Sequence, residues 1–262
     1  MIPLFSKPKL VSEEGHKAVF EIEALYPGYG VTVANSLRRV LLSSLPGAAV
    51  TKMKIKSVPH EFSTIPGIYE DVIQIMLNLK KLRFKVFSEE AQKATLRVKG
   101  EREVKGSDFQ LPSQLELVNK AEHIASLTSK SAELEIEIEV EKGIGYLPRE
   151  MRKRGKLTIG EILLDAIYSP VRKVGYTIEQ MRVGERTDYD KVRLEIETDG
   201  TMTPAEALTQ AAQILVDHFS LISQSLEEER VKAVSAKPAR KKKAAAKPKK
   251  AARAIKKKSK KS

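Results

Sequence analysis

Residues 26–47, YPGYGVTVANSLRRVLLSSLPG, predict a helix with two chemically different sides. Pro and Gly residues punctuate both ends of the stretch, which is typical of a helix that begins and ends sharply. At about 100° per residue, one side collects an apolar stripe of the kind that a helix buries. This stripe consists of Val33, Leu37, Val40 and Leu41. The stretch therefore predicts a helix packed on a hydrophobic core, with its other side left for a different purpose.

That other side carries four residues that we call the Arg-Leu cluster: Asn35, Arg38, Arg39 and Leu42. Arginine brings five rigid hydrogen-bond donors and leucine brings apolar area, a combination that protein contact surfaces favour. Single exposed apolar residues are nevertheless common on ordinary surfaces. The pattern alone leaves two interpretations open, a protein contact or a solvated basic face with one stray leucine.

Two more long motifs follow along the chain. Residues 60–82 read HEFSTIPGIYEDVIQIMLNLKKL, and residues 168–208 read YSPVRKVGYTIEQMRVGERTDYDKVRLEIETDGTMTPAEAL. Together with the first stretch, and in the same order, they closely resemble the amino-terminal domain of the α subunit of bacterial DNA-directed RNA polymerase. The similarity runs through roughly residues 3–230.

The resemblance implies an α+β fold in two parts. A dimerisation domain comprises residues 1–46 and 172–232, and it is interrupted by an inserted, mainly-β domain of residues 47–171. Subunits of this family dimerise, after which one protomer recruits the β subunit and the other recruits β′. Phosphodiester formation belongs to β and β′, so the resemblance implies a non-catalytic assembly platform.

The resemblance also assigns contact residues. It places the β-subunit contact on the Arg-Leu cluster, that is on Asn35, Arg38, Arg39 and Leu42. The stretch Asn78, Leu79 and Lys80 matches a region of large-subunit contact, without indicating which large subunit. Residues 182–191 are also similar to the family, and we expect only a structural role for them.

Periodicity predicts the remaining elements. Residues 133–141, ELEIEIEVE, alternate strictly and predict a strand with its Leu, Ile and Val side chains inward and its glutamates in water. An exposed, flexible loop is expected at residues 149–156. Helices are expected at residues 70–82 and from Thr203-Pro204 onward, where a hydroxyl, a proline and Glu206 form a helix-start signal. Further strands are expected at residues 17–25, 48–58, 162–167, 171–183 and 191–198.

The last helix carries apolar residues at alternating steps of three and four, the spacing of a seam between two helices. Packing inside the monomer would give the same spacing over so short a stretch. The resemblance favours a seam in the α–α dimer. Its predicted members are Leu208, Ala212, Leu215, Phe219, Ile222 and Leu226.

Composition excludes several classes of function. The 262-residue chain has no Cys, which rules out disulfides, thiolate zinc sites and Cys nucleophiles. Its four His residues are scattered, and Gly28-Tyr29-Gly30 lacks the rest of a phosphate-binding fingerprint. Asp188 and Asp190 have a D-x-D spacing that a divalent metal could use, but we expect them to serve turns. We therefore predict no active site, no cofactor and no metal site in this chain.

The net charge of +13 is concentrated at the end of the chain. Residues 235–262 contain 14 Lys and Arg and no Asp or Glu, which leaves 33 basic and 34 acidic residues before them. Such a composition predicts a disordered tail at residues 233–262 that contacts DNA non-specifically, although a merely solubilising extension has the same composition. The lysines expected at phosphates include Lys241, Lys242, Lys243, Lys249, Lys250, Lys256, Lys257 and Lys258.

The sequence departs from the family after Arg230, since nothing there has the pattern of the separate DNA-binding domain found in typical α subunits. We therefore do not expect promoter-element recognition by that route. No stretch reaches the roughly 18 apolar residues of a membrane span, so we expect a cytoplasmic protein without membrane contact. A DNA-compacting, histone-like dimer is the main rival, but it gives no reason for the Arg-Leu cluster. A free-standing enzyme is the remaining alternative.

Overall fold

The structure is a computed structural model that describes residues 3–152 and 160–235, with side chains as far as Leu226. Its mixture of a few helices with many antiparallel strands confirms the predicted α+β class. The chain divides into two compact units, Met1–His218 and Phe219–Ser262.

Three α-helices and fifteen strands make up the described part of the chain. The helices are α1 (Tyr29–Ser43), α2 (Val72–Leu79) and α3 (Pro204–Ser235). The strands are β1 (Lys9–Glu14), β2 (Lys17–Leu25), β3 (Pro46–Ile55), β4 (Phe84–Val86), β5 (Gln92–Lys99), β6 (Arg102–Lys105), β7 (Phe109–Gln110), β8 (Leu115–Leu117), β9 (His123–Leu127), β10 (Glu133–Ile144), β11 (Tyr146–Leu147), β12 (Glu161–Leu163), β13 (Ala166–Ile167), β14 (Val171–Val183) and β15 (Arg186–Thr198).

A four-stranded antiparallel sheet joins the two ends of the first unit in the order β1-β2-β15-β14. Strand β2 confirms the strand expected at residues 17–25, and it buries alternate residues over its first six positions, with Ala18, Phe20 and Ile22 buried. The alternation breaks at Ala24, because that residue has a φ of 60° and shifts the phase of the strand. Leu25 is buried in its place, with 1% of its surface exposed.

A five-stranded sheet in the order β12-β3-β10-β5-β7 occupies the middle of the sequence. Strand β10 confirms the strict alternation, since Leu134, Ile136, Ile138 and Val140 are all buried. Its glutamates lie on the opposite face and pair with basic residues of the neighbouring strands rather than facing only water. Two such pairs are Lys52 with Glu139 at 2.6 Å and Arg97 with Glu135 at 2.8 Å.

The buried apolar residues form separate clusters. The largest draws only on residues between Val50 and Leu164, from the five-stranded sheet, α2 and the short strands. Two others combine α1, the four-stranded sheet and the start of α3. Strand β2 pairs with β15, which lies more than half of the chain length away in sequence. Segments that are distant in sequence therefore share the core beneath α1.

The start of α3 follows the predicted helix signal. Thr203 Oγ1 accepts a hydrogen bond from Glu206 N at 3.2 Å, and Glu206 Oε2 accepts one from Thr203 N at 2.9 Å. This reciprocal capping box satisfies two backbone donors that a helix end leaves unpaired. The hydrogen bond from Thr203 N lowers the pKa of the Glu206 carboxyl, because it stabilises the charged form.

Two local predictions need correction. Residues 162–167 form two short strands, β12 and β13, rather than one. The loop predicted as exposed begins with a 3₁₀ turn at Arg149–Met151, and Arg152 is largely buried. Its guanidinium reaches Glu141 Oε2 at 2.9 Å and Tyr168 Oη at 2.8 Å, partners that lie on other segments and leave no periodic signal. The remaining residues of that predicted loop, 153–156, lie outside the described residues.

Candidate functional site

One side of helix α1 packs against the four-stranded sheet. Leu37 and Leu41 are buried as predicted, while Val33 and Val40 are partly buried. Ala34 and Gly30 are also buried on this side, and the stripe prediction had omitted them. Small residues here let the helix backbone approach the sheet, so α1 is held against the core along its length.

The Arg-Leu cluster is exposed on the other side of α1. Asn35, Arg38 and Arg39 are all exposed, and Leu42 keeps 37% of its surface exposed. Among the residues that the structure describes, none forms a hydrogen bond or ion pair with the side chains of Arg38 or Arg39. Two unengaged guanidinium groups beside an exposed leucine have the hydrogen-bonding capacity and the apolar area for binding another protein.

The structure adds Val31 to this surface, a residue that the sequence analysis missed. Val31 is 55% exposed and lies one helical turn before Asn35. Val31, Asn35, Arg38 and Leu42 follow each other by four, three and four residues, so they share one face. The spacing alone could have placed Val31 on this face from the sequence. The exposed face extends over about three turns of α1.

The start of α1 is held by a residue from the far end of the sequence. Asp190 Oδ2 accepts hydrogen bonds from Gly28 N and Gly30 N, both at 2.9 Å. Asp190 is 8% exposed, so the prediction that it serves a turn is wrong. Asp188 instead pairs with Arg186 on the protein surface, with an Oδ2 to Nη2 distance of 2.7 Å. The two carboxylates of the D-x-D stretch therefore do not converge on a metal-like site.

An aromatic group surrounds the same end of α1. Tyr26 contacts Tyr29 and Tyr189 edge-to-face, with ring centroids 6.1 and 6.2 Å apart. The guanidinium carbon of Arg186 lies 5.6 Å from the Tyr26 ring centroid and 5.4 Å from that of Tyr189. Hydrogen bonding to Asp188 raises the pKa of Arg186, and the reciprocal bond lowers the pKa of Asp188. These contacts connect the β14–β15 hairpin to the start of α1.

The second predicted contact region is more deeply embedded than expected. Leu79 has 0% of its surface exposed and belongs to the largest core cluster, so its assignment to a large-subunit contact is wrong for its side chain. Asn78 is half-buried, and its Nδ2 donates to the carbonyl of Ile124 at 3.1 Å. Lys80 Nζ contacts Asp165 Oδ2 at 2.7 Å. Lys80 and the backbone N–H of Arg149 together lower the pKa of Asp165.

Leu77 is the apolar residue that α2 does expose, at 50% of its surface. The helix begins after Asp71, whose Oδ1 accepts a hydrogen bond from Gln74 N at 2.7 Å. Six of its eight residues, VIQIMLNL, are aliphatic, so the pattern could not tell which of them face outward. Leu77 and the exposed Gln74, with the partly exposed Lys80 just after the helix, are the surface offered here to a partner.

The carboxylate of Glu70 fixes the chain just before α2. Glu70 Oε2 accepts a hydrogen bond from Ser126 N at 2.6 Å, and Oε1 contacts His123 Nε2 at 2.8 Å. Burial acts to raise the pKa of Glu70, but these bonds outweigh it and the pKa is lowered. A lowered pKa in the folded state means that the ionised group stabilises the fold above the unfolded-state pKa.

We expect Glu70→Gln to lower the free energy of unfolding by about 1–2 kcal/mol near neutral pH, because an amide is a weaker acceptor than a buried carboxylate. The difference from the wild type should shrink as the pH falls from neutral to well below the ordinary pKa of a glutamate, because the wild-type carboxyl becomes protonated and loses the same advantage. Urea unfolding of both proteins across this range measures it. A difference that stays constant with pH would contradict the assigned role of the charge.

The predicted seam residues fall into two groups. Leu208, Ala212 and Leu215, in the first unit, are partly buried against the clusters beneath α1, as the alternative of packing inside the monomer expects. Phe219, Ile222 and Leu226, in the second unit, are exposed over 62%, 56% and 62% of their surfaces. Three large apolar side chains at steps of three and four are an exposed stripe that favours a partner.

A cavity of about 590 Å³ beside β4 is lined mainly by apolar side chains, including Phe84, Phe87 and Ile144, and its Lys142 pairs with Glu89 at 2.6 Å. Across residues 3–152 and 160–235, no three His, Asp or Glu residues are placed to hold a metal ion. None of the helices in that part of the chain is long and apolar enough to cross a membrane. The lysines predicted to contact DNA lie outside the described residues.

Known proteins are similar to this sequence over most of its length. Residues 53–169 match the family described as the RNA polymerase Rpb3/RpoA insert domain. The chain is 47% identical over 217 residues to DNA-directed RNA polymerase subunit alpha of Roseiflexus sp. (strain RS-1), which covers 83% of this chain and 67% of that protein. It is 46% identical over 226 residues to the same subunit of Symbiobacterium thermophilum, covering 85% and 71%. It is also 46% identical over 221 residues to the same subunit of Limosilactobacillus reuteri, and this alignment covers 83% of this chain and 70% of that protein.

Proposed function

The chain belongs to the family of bacterial DNA-directed RNA polymerase α subunits, and we propose that it forms a homodimer on which the β and β′ subunits assemble. Its role is then to position the large subunits for DNA-templated transcription. The chain itself supplies no catalytic residue, and it acts in the cytoplasm as part of the polymerase.

The observation that best supports this proposal is the unengaged Arg-Leu cluster on a helix that is otherwise packed on the core. Arg38 and Arg39 are exposed, and the residues of the described chain give their guanidinium groups no partner. We assign Asn35, Arg38, Arg39, Leu42 and the adjoining Val31 to the β-subunit contact. Lys80, Asn78 and the exposed Leu77 form a second contact with a large subunit.

The exposed stripe at Phe219, Ile222 and Leu226 supports a dimer. A second copy of the chain is the occupant that fits best, since α subunits dimerise and a two-fold axis makes one stripe serve both partners. Residues 1–46 and 172–232 are proposed to form the dimerisation domain and residues 47–171 the inserted domain. The separation of the buried clusters at about these positions supports that division.

Purification and reconstitution test the proposal directly. An affinity tag on the native protein should recover two chains, each several times larger than this one. The purified dimer should then bind isolated β and, once β is bound, β′. Recovery of the tagged chain without large partners, or a purified chain that fails to bind β, would contradict the proposal. Recovery with DNA alone would support the rival DNA-compacting dimer.

The basic tail is proposed to add non-specific DNA affinity to the assembled enzyme. Deleting residues 235–262 removes 14 positive charges and one large apolar residue, Ile255. We expect dimer formation and recruitment of β to be unchanged. The affinity of the enzyme for DNA should fall most at low salt, since each neutralised phosphate contributes about −0.9 to the slope of log affinity against log salt.

Binding curves on two unrelated promoters over a salt series measure this effect. Full-length and truncated enzymes should differ in slope equally on both promoters, because phosphate contacts carry little base information. Identical slopes would show that the tail does not contact DNA. A loss restricted to one promoter would show that it reads sequence or shape.

A further inference from the structure

Asp190 connects the two ends of the first unit at the point where α1 begins. One of its carboxylate oxygens, Oδ2, accepts both the Gly28 and the Gly30 backbone N–H groups at 2.9 Å. A helix start leaves its first N–H groups unpaired, and Gly28 at the cap position has no side chain to satisfy them. The cap of α1 is therefore supplied by a residue 160 positions away in sequence.

The local backbone is shaped to place this carboxylate. The pairing of β2 with β15 shifts register between Asp190 and Val192, so Asp190 lies opposite Leu25 while Val192 lies opposite Ile22. On β2 the shift coincides with Ala24, whose φ of 60° is unusual for a residue with a Cβ. Bulges of this kind re-aim a side chain relative to its sheet. Here the re-aimed residue reaches the start of α1.

Glycine at position 30 makes this contact possible. A Cβ atom there would lie 2.9 Å from both Cβ and Oδ2 of Asp190, closer than real Cβ atoms approach other atoms. Gly28 has a φ of 84°, a conformation that residues with side chains rarely adopt. Both glycines bring the helix backbone directly onto the carboxylate, so the contact fixes where α1 begins and how it is rotated.

We propose that Asp190 is a positioning residue for the β-subunit contact, acting through α1 on the Arg-Leu cluster. This inference rests on the proposed function. The side chains that α1 buries, those of Ala34, Leu37 and Leu41, are aliphatic and supply no directed hydrogen bond that would fix the rotation of the helix. The two bonds from Asp190 hold one end of the helix. They thereby hold Arg38 and Arg39, two to three turns further along, at a fixed place on the surface.

The test compares β binding by full-length dimers that carry Asp190→Ala, Arg39→Ala or both. We expect Asp190→Ala to weaken β binding about tenfold, the size of effect that loss of a helix cap and of preorganisation can produce. In the Arg39→Ala background the same change should weaken binding by a smaller factor, about threefold, because only one of the two arginines is left to position. Dimer mass and circular dichroism at the working temperature should match the wild type.

Asp199→Asn is the matched control. Asp199 is a second buried aspartate of the same unit, 8% exposed, that accepts bonds from Thr201 and pairs with Arg83 at 3.3 Å. It should lower stability without changing the Kd for β. Should Asp190→Ala fail to fold, Asp190→Asn perturbs the same contact more mildly and should show the same dependence on Arg39.

The outcomes separate the inference from the proposed function. Wild-type dimers that do not bind β contradict both. If the wild type binds β, an unchanged Kd for the Asp190 variants overturns the inference alone. A loss of the same size in the Arg39 and Arg39→Ala backgrounds also overturns it, since a general structural defect would act independently of Arg39. A clearly smaller loss in the Arg39→Ala background than in the Arg39 background, with no change in Kd for Asp199→Asn, supports it.

Discussion

Arg39→Ala is expected to leave a folded dimer that captures the β subunit much more weakly. Arg39 lies on the exposed side of α1, and its guanidinium has no partner within the described part of the chain. Its removal should therefore cost little folding free energy, because surface substitutions away from packed groups typically change it by less than about 0.5 kcal/mol. Central arginines of interfaces often account for about 2–4 kcal/mol of binding, so we expect at least a roughly 30-fold weaker Kd.

Titration of β with the variant dimer, by calorimetry or size-exclusion chromatography, measures this loss. Arg97→Ala is the matched control, since it removes another exposed guanidinium, paired with Glu135 on the five-stranded sheet. Exposed ion pairs of this kind contribute little to stability. The control should bind β normally. A complex of unchanged affinity with Arg39→Ala would exclude the Arg-Leu cluster as the β contact.

Elements with a purely local signal were predictable from the sequence. Strand β10 alternates between apolar and charged residues because only one face of its sheet is buried, and this alternation is visible directly in the sequence. The capping box at Thr203 and Glu206 needs only four consecutive residues. The exposed Arg-Leu cluster could be predicted for the same reason, since the angular position of a residue on a helix follows from its number.

Features that depend on distant segments were not predictable. Asp190 resembles a turn residue in sequence, and only the pairing of β15 with β2 brings it to the start of α1. Leu79 belongs to a short helix that is aliphatic on almost every side, so no pattern could mark it as core. Ala24 adopts a positive φ, which an alanine in the sequence does not predict. In each case tertiary contacts overrode or supplemented what the local sequence specifies.

Replacing Phe219 by Asp is expected to abolish the dimer. Phe219 is 62% exposed and shares its helix face with Ile222 and Leu226, so three large apolar groups face solvent together unless a partner covers them. In a two-fold dimer each substitution occurs twice, which places two carboxylates in the apolar contact. An unpaired charge in such surroundings costs several kcal/mol, which is enough to raise the dissociation constant of the dimer by roughly a hundredfold or more.

Sedimentation at micromolar concentration distinguishes the two states, and two further variants make the result specific. Gln224→Asp introduces the same carboxylate on the opposite face of the same helix and should remain dimeric. Phe219→Leu keeps an apolar side chain and should weaken the dimer only modestly, because most of the buried area survives. If Phe219→Asp forms a stable dimer, the exposed stripe is not the seam. The dimer would then have to form through other surfaces, and the assembly platform would need a different geometry from the one proposed.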